Sequence, residues 1–191
     1  SSDVCSSDLA AQSHRAARHA HVLQRVRRHI DVGTPLVPLM LALTLHPEWA
    51  WAVAHLGKRI ENRGWQRAGL RGQTIAIHGG KSIGGDSDKT LWPTNIRLML
   101  AQARKAGADL DAVAGVVSIN RILNEGRGIV ALARVARFVE SSESGWFVGP
   151  IGWVLEDVRV LRQPVCCKGA QGLWTVPLDV AIEVAEVLRA G

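Results

Sequence analysis

Between Gly57 and Trp65 the chain reads Gly-Lys-Arg-Ile-Glu-Asn-Arg-Gly-Trp, which gathers Lys58, Arg59, Glu61, Asn62 and Arg63 into six residues. On an extended backbone, alternation turns Lys58, Ile60 and Asn62 to one side and Arg59, Glu61 and Arg63 to the other. The second set holds a carboxylate between two guanidiniums. Two chemistries fit it. One is a structural ion-pair network, which composition alone favours; the other is a guanidinium fork left free for a phosphate. So many charges argue against a core element, so an irregular strand or turn is expected here.

A second cluster is His78-Gly79-Gly80-Lys81, where a histidine and a lysine flank a glycine pair. Glycines let a ligand approach the backbone closely, so His78 is a better functional candidate than His46 or His55, which read as structural. The loop around Gly84–Gly85 lacks the G-x-x-x-x-G-K-[ST] spacing of a P-loop. Glu156–Asp157 reads as a solvated turn. Seven tryptophans and no tyrosine are present. Trp153 and Trp174 sit in apolar strand-like runs and are expected in the core, whereas Trp49 or Trp65 is placed to stack a base. Cys166 and Cys167 are adjacent, a spacing that suits neither a bridge nor a metal site, so reduced, inert thiols in a cytoplasmic setting are expected. No metal and no cofactor is expected.

These groups need elements to hold them. Leu41–His46 alternates and reads as a strand. Pro47 suits the first position of a helix over Glu48–Gly57, closed by its glycine. Gln73–Gly80 reads as a strand, the KSIGGDSD run that starts at Lys81 as a loop, and Pro93–Ala106 as a helix stopped by Gly107. Ala112–Ile122 fits either a strand or a short helix pair. Gly128–Ser142 alternates arginines with apolar residues, as a half-exposed strand does. One or two strands are expected around Gly149–Pro150 and a last one over Gly172–Pro177. A closing helix would carry Val180, Val184, Val187 and Leu188 on one stripe. Short strands with Gly and Pro corners plus a few helices define an α+β fold with a small, curled sheet.

The bounds on function are loose. The chain has 191 residues and a net charge of +6, of which residues 40–191 carry +4. That excess suits a polyanion partner without requiring one. No apolar run is long enough for a membrane-spanning helix, no secretory signal stands at the start, and no membrane association is expected. Residues 1–9, Ser-Ser-Asp-Val-Cys-Ser-Ser-Asp-Leu, repeat one translated frame of a common sequencing adapter. They are read as a metagenomic assembly artefact, so Cys5 is set aside. Residues 10–39 follow as a basic Arg/His/Ala-rich stretch, a helix or a disordered extension. The expected organisation is therefore a foreign or disordered segment over 1–39 and one domain over 40–191, starting at Met40, the first methionine.

Read in order, Leu41–Pro47, Gly57–Lys58, Glu61-Asn62-Arg63-Gly64-Trp65 and Arg71–Gly72 resemble the ASCH domain family, the activating signal cointegrator homology branch of the PUA-like superfamily. Members open with a short strand and a His-Gln-Pro-Trp-like turn. A helix ending in Gly-Lys, an E-x-R-x-W motif and a strand with an Arg-Gly start then follow. The likeness covers about three quarters of the chain. The resemblance implies a small PUA-like β-barrel with flanking helices and a cleft that binds RNA or a nucleotide. It implies binding roles for Lys58, Arg63, Trp65, Arg71, His78 and Lys81. A departure at His46-Pro47-Glu48-Trp49 places a carboxylate where the family has none and is expected to weaken anion binding at the cleft mouth. Some members resemble hydrolases of N4-acetylcytidine, and others are credited with RNA cleavage. In that alternative Lys58 and Glu61 would be catalytic, although Glu61 stands where the hydrolases place a threonine nucleophile.

Overall fold

Alternating burial organises the sheet. In Leu41–Leu45 (β1), Leu43 and Leu45 face one apolar cluster while Ala42 faces another, and Thr74–Gly79 (β3) repeats this with Ile75 and Ile77 against Ala76. A sheet covered on both faces follows from that pattern. The structure is a computed structural model and describes residues 39–81, 91–110 and 118–190. The expectations for residues 1–38, for the loop after Lys81 and for 111–117 lie outside the described residues.

Six strands form one sheet in the order β2-β5-β4-β3-β1-β6, where β2 is Ile60–Arg63, β4 Gly128–Val139, β5 Ile151–Val165 and β6 Leu173–Thr175. β1 and β3 run parallel and all other neighbours antiparallel. Register shifts interrupt β3–β4 once and β4–β5 three times. Such bulges bend long strands and increase their twist, so the sheet curls into a half-barrel. The architecture is α+β, as the sequence indicates.

Four helices stand among the described residues: α1 (Pro47–His55), α2 (Leu91–Lys105), α3 (Ile119–Glu125) and α4 (Leu178–Arg189). α1 begins with Pro47 and ends before Gly57, whose φ of 65° favours glycine. Its Ala50 and Val53 seal the concave face with Leu43, Ile77, Val135 and Trp153, while Trp51 and Ala52 meet α2 and α3 through Met99 and Ile122. On the other face α4 covers Ala76, Leu132 and Leu161 with Val184 and Val187, helped by Val180 and Leu188. Of the two readings for Ala112–Ile122, its described end is helical, capped by the Ser118 hydroxyl, which accepts from the Arg121 amide.

Four expectations change. Lys58–Trp65 holds a strand, β2, one of the two readings, but it is not kept out of the core: Lys58 and Glu61 are 2% and 7% exposed. β4 is not half-exposed throughout, because Gly128–Ala133 is buried on both faces and only its second half alternates. One long bent strand, β5, follows Pro150, and Glu156–Asp157 lies within it, held by Arg134 and Arg137 across the bulged ladder. Trp153 is a core residue, but Trp174 is only half-buried.

Candidate functional site

The C-terminal ends of β1 and β3 point the same way because these strands are parallel. Register then adds the start of β4, since Gly79 sits opposite Gly128, and the end of β5, since Ile129 sits opposite Val165. Four chain segments therefore meet at one end of the sheet. Together with β2 they enclose a cleft of about 1050 Å³. Its lining includes Thr44, His46, Trp49, Glu61, Arg63, His78, Lys81, Arg127 and Lys168, plus backbone at Gly79–Gly80, Gly128 and 169–172. The volume is at the upper end of the range of ordinary small-molecule sites.

At the β2 side, Lys58 Nζ donates to Glu61 Oε2 at 2.5 Å and to the Ile60 carbonyl at 2.6 Å. It lies 5.8 Å from the Trp49 ring centre, beneath the aromatic wall of the cleft. Arg63 Nε approaches Glu61 Oε1 at 3.2 Å, and its Nη2 donates to the Thr44 carbonyl at 3.1 Å. The carboxylate thus sits between an ammonium and one guanidinium. The pairing by strand alternation fails because Lys58 precedes the strand. Arg59 turns away and donates to the Val53 and Lys58 carbonyls; burial lowers its pKa. The Asn62 amide is spent holding the 146–148 loop through Trp146 and Val148.

In the middle of the cleft a directional chain fixes His78. The Trp174 indole N–H donates to Thr44 Oγ1 at 3.0 Å, Thr44 Oγ1 lies 3.3 Å from His78 Nδ1, and His78 Nε2 lies 3.2 Å from the Cys167 carbonyl. A carbonyl only accepts, so the ring carries its proton on Nε2, and Nδ1 accepts from the threonine. Burial at 2% exposure pushes the His78 pKa down, against the opposing pull of that carbonyl, which keeps the ring neutral. Gly169 presses on the same ring: a Cβ there would stand 2.8 Å from Thr44 Oγ1 and overlap the imidazole.

At the far side, Lys81 ends the β3 segment and Arg127 Nη2 donates to its carbonyl at 3.2 Å. Close backbone packing sets this geometry. A Cβ on Gly79 would overlap the Gly126 carbonyl, and one on Gly128 would reach the Val165 carbonyl at 2.5 Å. Lys168 enters from the segment after β5.

Of the residues expected in the site, Arg63, His78 and Lys81 line the cleft together with Glu61. Lys58 does not line the cleft; it is buried beneath it, against Glu61 and the Trp49 ring. Trp65 is not a stacking platform: at 38% exposure it caps Trp153 edge-on at 4.8 Å, and its carbonyl accepts from the Trp153 indole at 3.0 Å. Arg71 is an exposed residue after the short 3-10 turn Ala68–Leu70 and does not line the cleft. Glu48 does not guard the mouth either. It is fully buried in the first turn of α1, where desolvation raises its pKa and neither oxygen has another side chain or a neighbouring backbone group as a hydrogen-bond partner among the described residues. Arg127 and Lys168 were not anticipated. Their sequence signal is a cation beside glycine, in Gly126-Arg127-Gly128 and Lys168-Gly169, the same pattern as Gly80-Lys81.

Among the described residues no three or more His, Cys, Asp or Glu side chains converge as a metal ion would require, and no helix is long and apolar enough to cross a membrane. Cys166 and Cys167 are free of disulfides and line the cleft wall. No family model and no curated protein matches the chain.

Proposed function

We propose that the cleft binds a nucleotide or a short stretch of RNA, in the manner that the likeness to the ASCH and PUA-like domains implies. The observation that carries this reading is the charge balance of the cleft. Arg63, Lys81, Arg127 and Lys168 line it against one carboxylate among the described residues, Glu61, and that carboxylate is already paired with Lys58 and Arg63. An anionic ligand is what such a surplus accommodates. Trp49 adds a flat aromatic wall, backed by the Lys58 ammonium, on which a base can stack.

The hydrolase alternative, with Lys58 and Glu61 as catalytic groups, has weaker support. The Lys58 ammonium is engaged with Glu61 and a carbonyl below the floor, so it does not face a developing oxyanion. Both Glu61 oxygens already face cations, Oε2 the Lys58 ammonium and Oε1 the Arg63 guanidinium, so neither is left to position a water. Incubation with N4-acetylcytidine and with RNA, beside Glu61→Gln, separates the readings: release of acetate or RNA fragments by the parent alone would favour the enzyme.

The binding reading is tested by titrating short single-stranded RNA against salt. Affinity should fall as salt rises, with a log–log slope of about −0.7 for each phosphate engaged. Folded protein that binds neither RNA nor mononucleotides at low salt contradicts it.

A further inference from the structure

The cations of the cleft are not equally available. Arg63 is committed to Glu61 and to the Thr44 carbonyl, and Lys58 is buried beneath them. At the opposite side, neither Lys81 nor Lys168 has an ion-pair partner among the described residues. Arg127 gives one Nη2 bond to the Lys81 carbonyl, which ties its guanidinium to the lysine-bearing segment, and Arg127 forms no salt bridge among the described residues. These three arrive on separate segments, after β3, before β4 and after β5, yet register brings them to one end of the sheet. No carboxylate from the described lining stands among them.

The backbone between them is stripped of side chains. Gly79, Gly80, Gly126, Gly128 and Gly169 flank the three cations. Gly79, Gly126 and Gly128 are packed so closely against neighbouring carbonyls that no Cβ fits. Lys81, Arg127 and Lys168 line the same cleft and offer ammonium and guanidinium donors to it. A backbone phosphodiester carries one charge and is bound by cations strung along its path. A phosphomonoester carries close to two charges on three acceptor oxygens, which suits three cations lining one cleft.

We infer that the Lys81–Arg127–Lys168 rim is a subsite for a terminal phosphate, so the ligand is a 5′-phosphorylated nucleotide or a 5′-phosphorylated RNA end. This rests on the nucleotide reading above for the rest of the ligand, but not for the phosphate itself. The base would then lie toward Trp49, with the neutral His78 on the wall between them.

The test compares binding by calorimetry at low salt. The probes are adenosine and cytidine, their 5′-monophosphates, and a tetranucleotide RNA with and without a 5′-phosphate. The proteins are the full chain and its Lys81→Gln/Lys168→Gln double variant. The expected result is at least about tenfold tighter binding of the phosphorylated member of a pair, since charge-assisted hydrogen bonds are the strong ones. The double variant should bind both members alike. Whether the mononucleotides or the RNA pair show the larger preference identifies the source of the phosphate. Equal binding of both members by the parent overturns the rim while leaving the nucleotide reading intact.

If no nucleoside, nucleotide or RNA binds, the nucleotide reading fails, and inorganic phosphate decides the rim alone. Broadening of its phosphorus resonance by the parent and not by the double variant sustains the subsite. Absence of broadening with the parent overturns it.

Discussion

The two sides of the cleft use the same residue types for opposite ends. At the β2 side, Lys58, Glu61 and Arg63 come from six consecutive residues and pair with one another; the lysine is buried, and the arginine ion-pairs with the carboxylate and donates Nη2 to a carbonyl. At the glycine side, Lys81, Arg127 and Lys168 come from segments far apart in sequence, and none has an ion-pair partner among the described residues. Here the charges adjacent in sequence pair with one another, whereas the cations that the fold gathers at the glycine side meet no carboxylate among the described lining residues. A dense charged motif is thus weaker evidence of a ligand site than a loose set of cations converging without acids.

Substitutions at the two sides should therefore fail in different ways. The largest effect is expected at Glu61. Removing it by Glu61→Ala leaves Lys58 buried with no counter-charge, a loss of about 3–5 kcal/mol in urea unfolding. Lys168→Gln, by contrast, should stay within about 0.5 kcal/mol of the parent. Comparable losses from both would erase the distinction between structural and available charges.

Next comes the packing that shapes the glycine side. Gly79→Ala forces a methyl into the Gly126 carbonyl and should cost about 1–3 kcal/mol. A melting temperature equal to the parent's would show that the rim is looser than its geometry. At Trp49, replacement by alanine should weaken nucleoside binding about tenfold, the usual worth of one stacked base, while the same change at Trp65 leaves affinity alone. If Trp65→Ala gave the larger loss, the base would have to lie elsewhere.

The smallest effect is the acid limb. Burial depresses the pKa of His78 and of His55, the latter against the pull of Glu125 at 3.5 Å. Both rings are therefore protonated more readily in the unfolded chain. Their contribution to stability is fully present above the ordinary value of 6.5 and is lost as pH falls below it towards the depressed folded values. Unfolding midpoints measured between pH 7.5 and 5.5 should decline, and His78→Gln should flatten part of that decline. An unchanged slope would mean that the ring is not held neutral by its surroundings.

Much of the framework was legible because local signals agree with tertiary demand. Pro47 and Gly57 bracket α1, the alternation in Leu41–Leu45 and Thr74–Gly79 marks two strands, and the valine stripe of α4 meets the sheet as its spacing indicates. What could not be read depends on neighbours. Two-sided burial of Gly128–Ala133 requires knowing that α1 and α4 cover opposite faces. The pairing of Lys58 with Glu61 requires the break in alternation before β2. Trp65 ends the motif and Arg71 follows it, but Trp65 is taken up by Trp153 and Arg71 is exposed, so neither lines the cleft. Arg127 and Lys168 become neighbours of Lys81 only through the register of β3, β4 and β5.

Amide shifts test most directly whether ligand charge is met at the glycine side or at the motif. Backbone amide resonances of the parent would be followed while a 5′-mononucleotide is titrated in. The largest shifts are expected at Gly80–Lys81, Arg127–Gly128 and Lys168–Gly169, with Lys58 and Glu61 nearly still. Shifts centred on Lys58–Arg63 with those glycine-flanked residues unmoved would contradict the glycine-side reading.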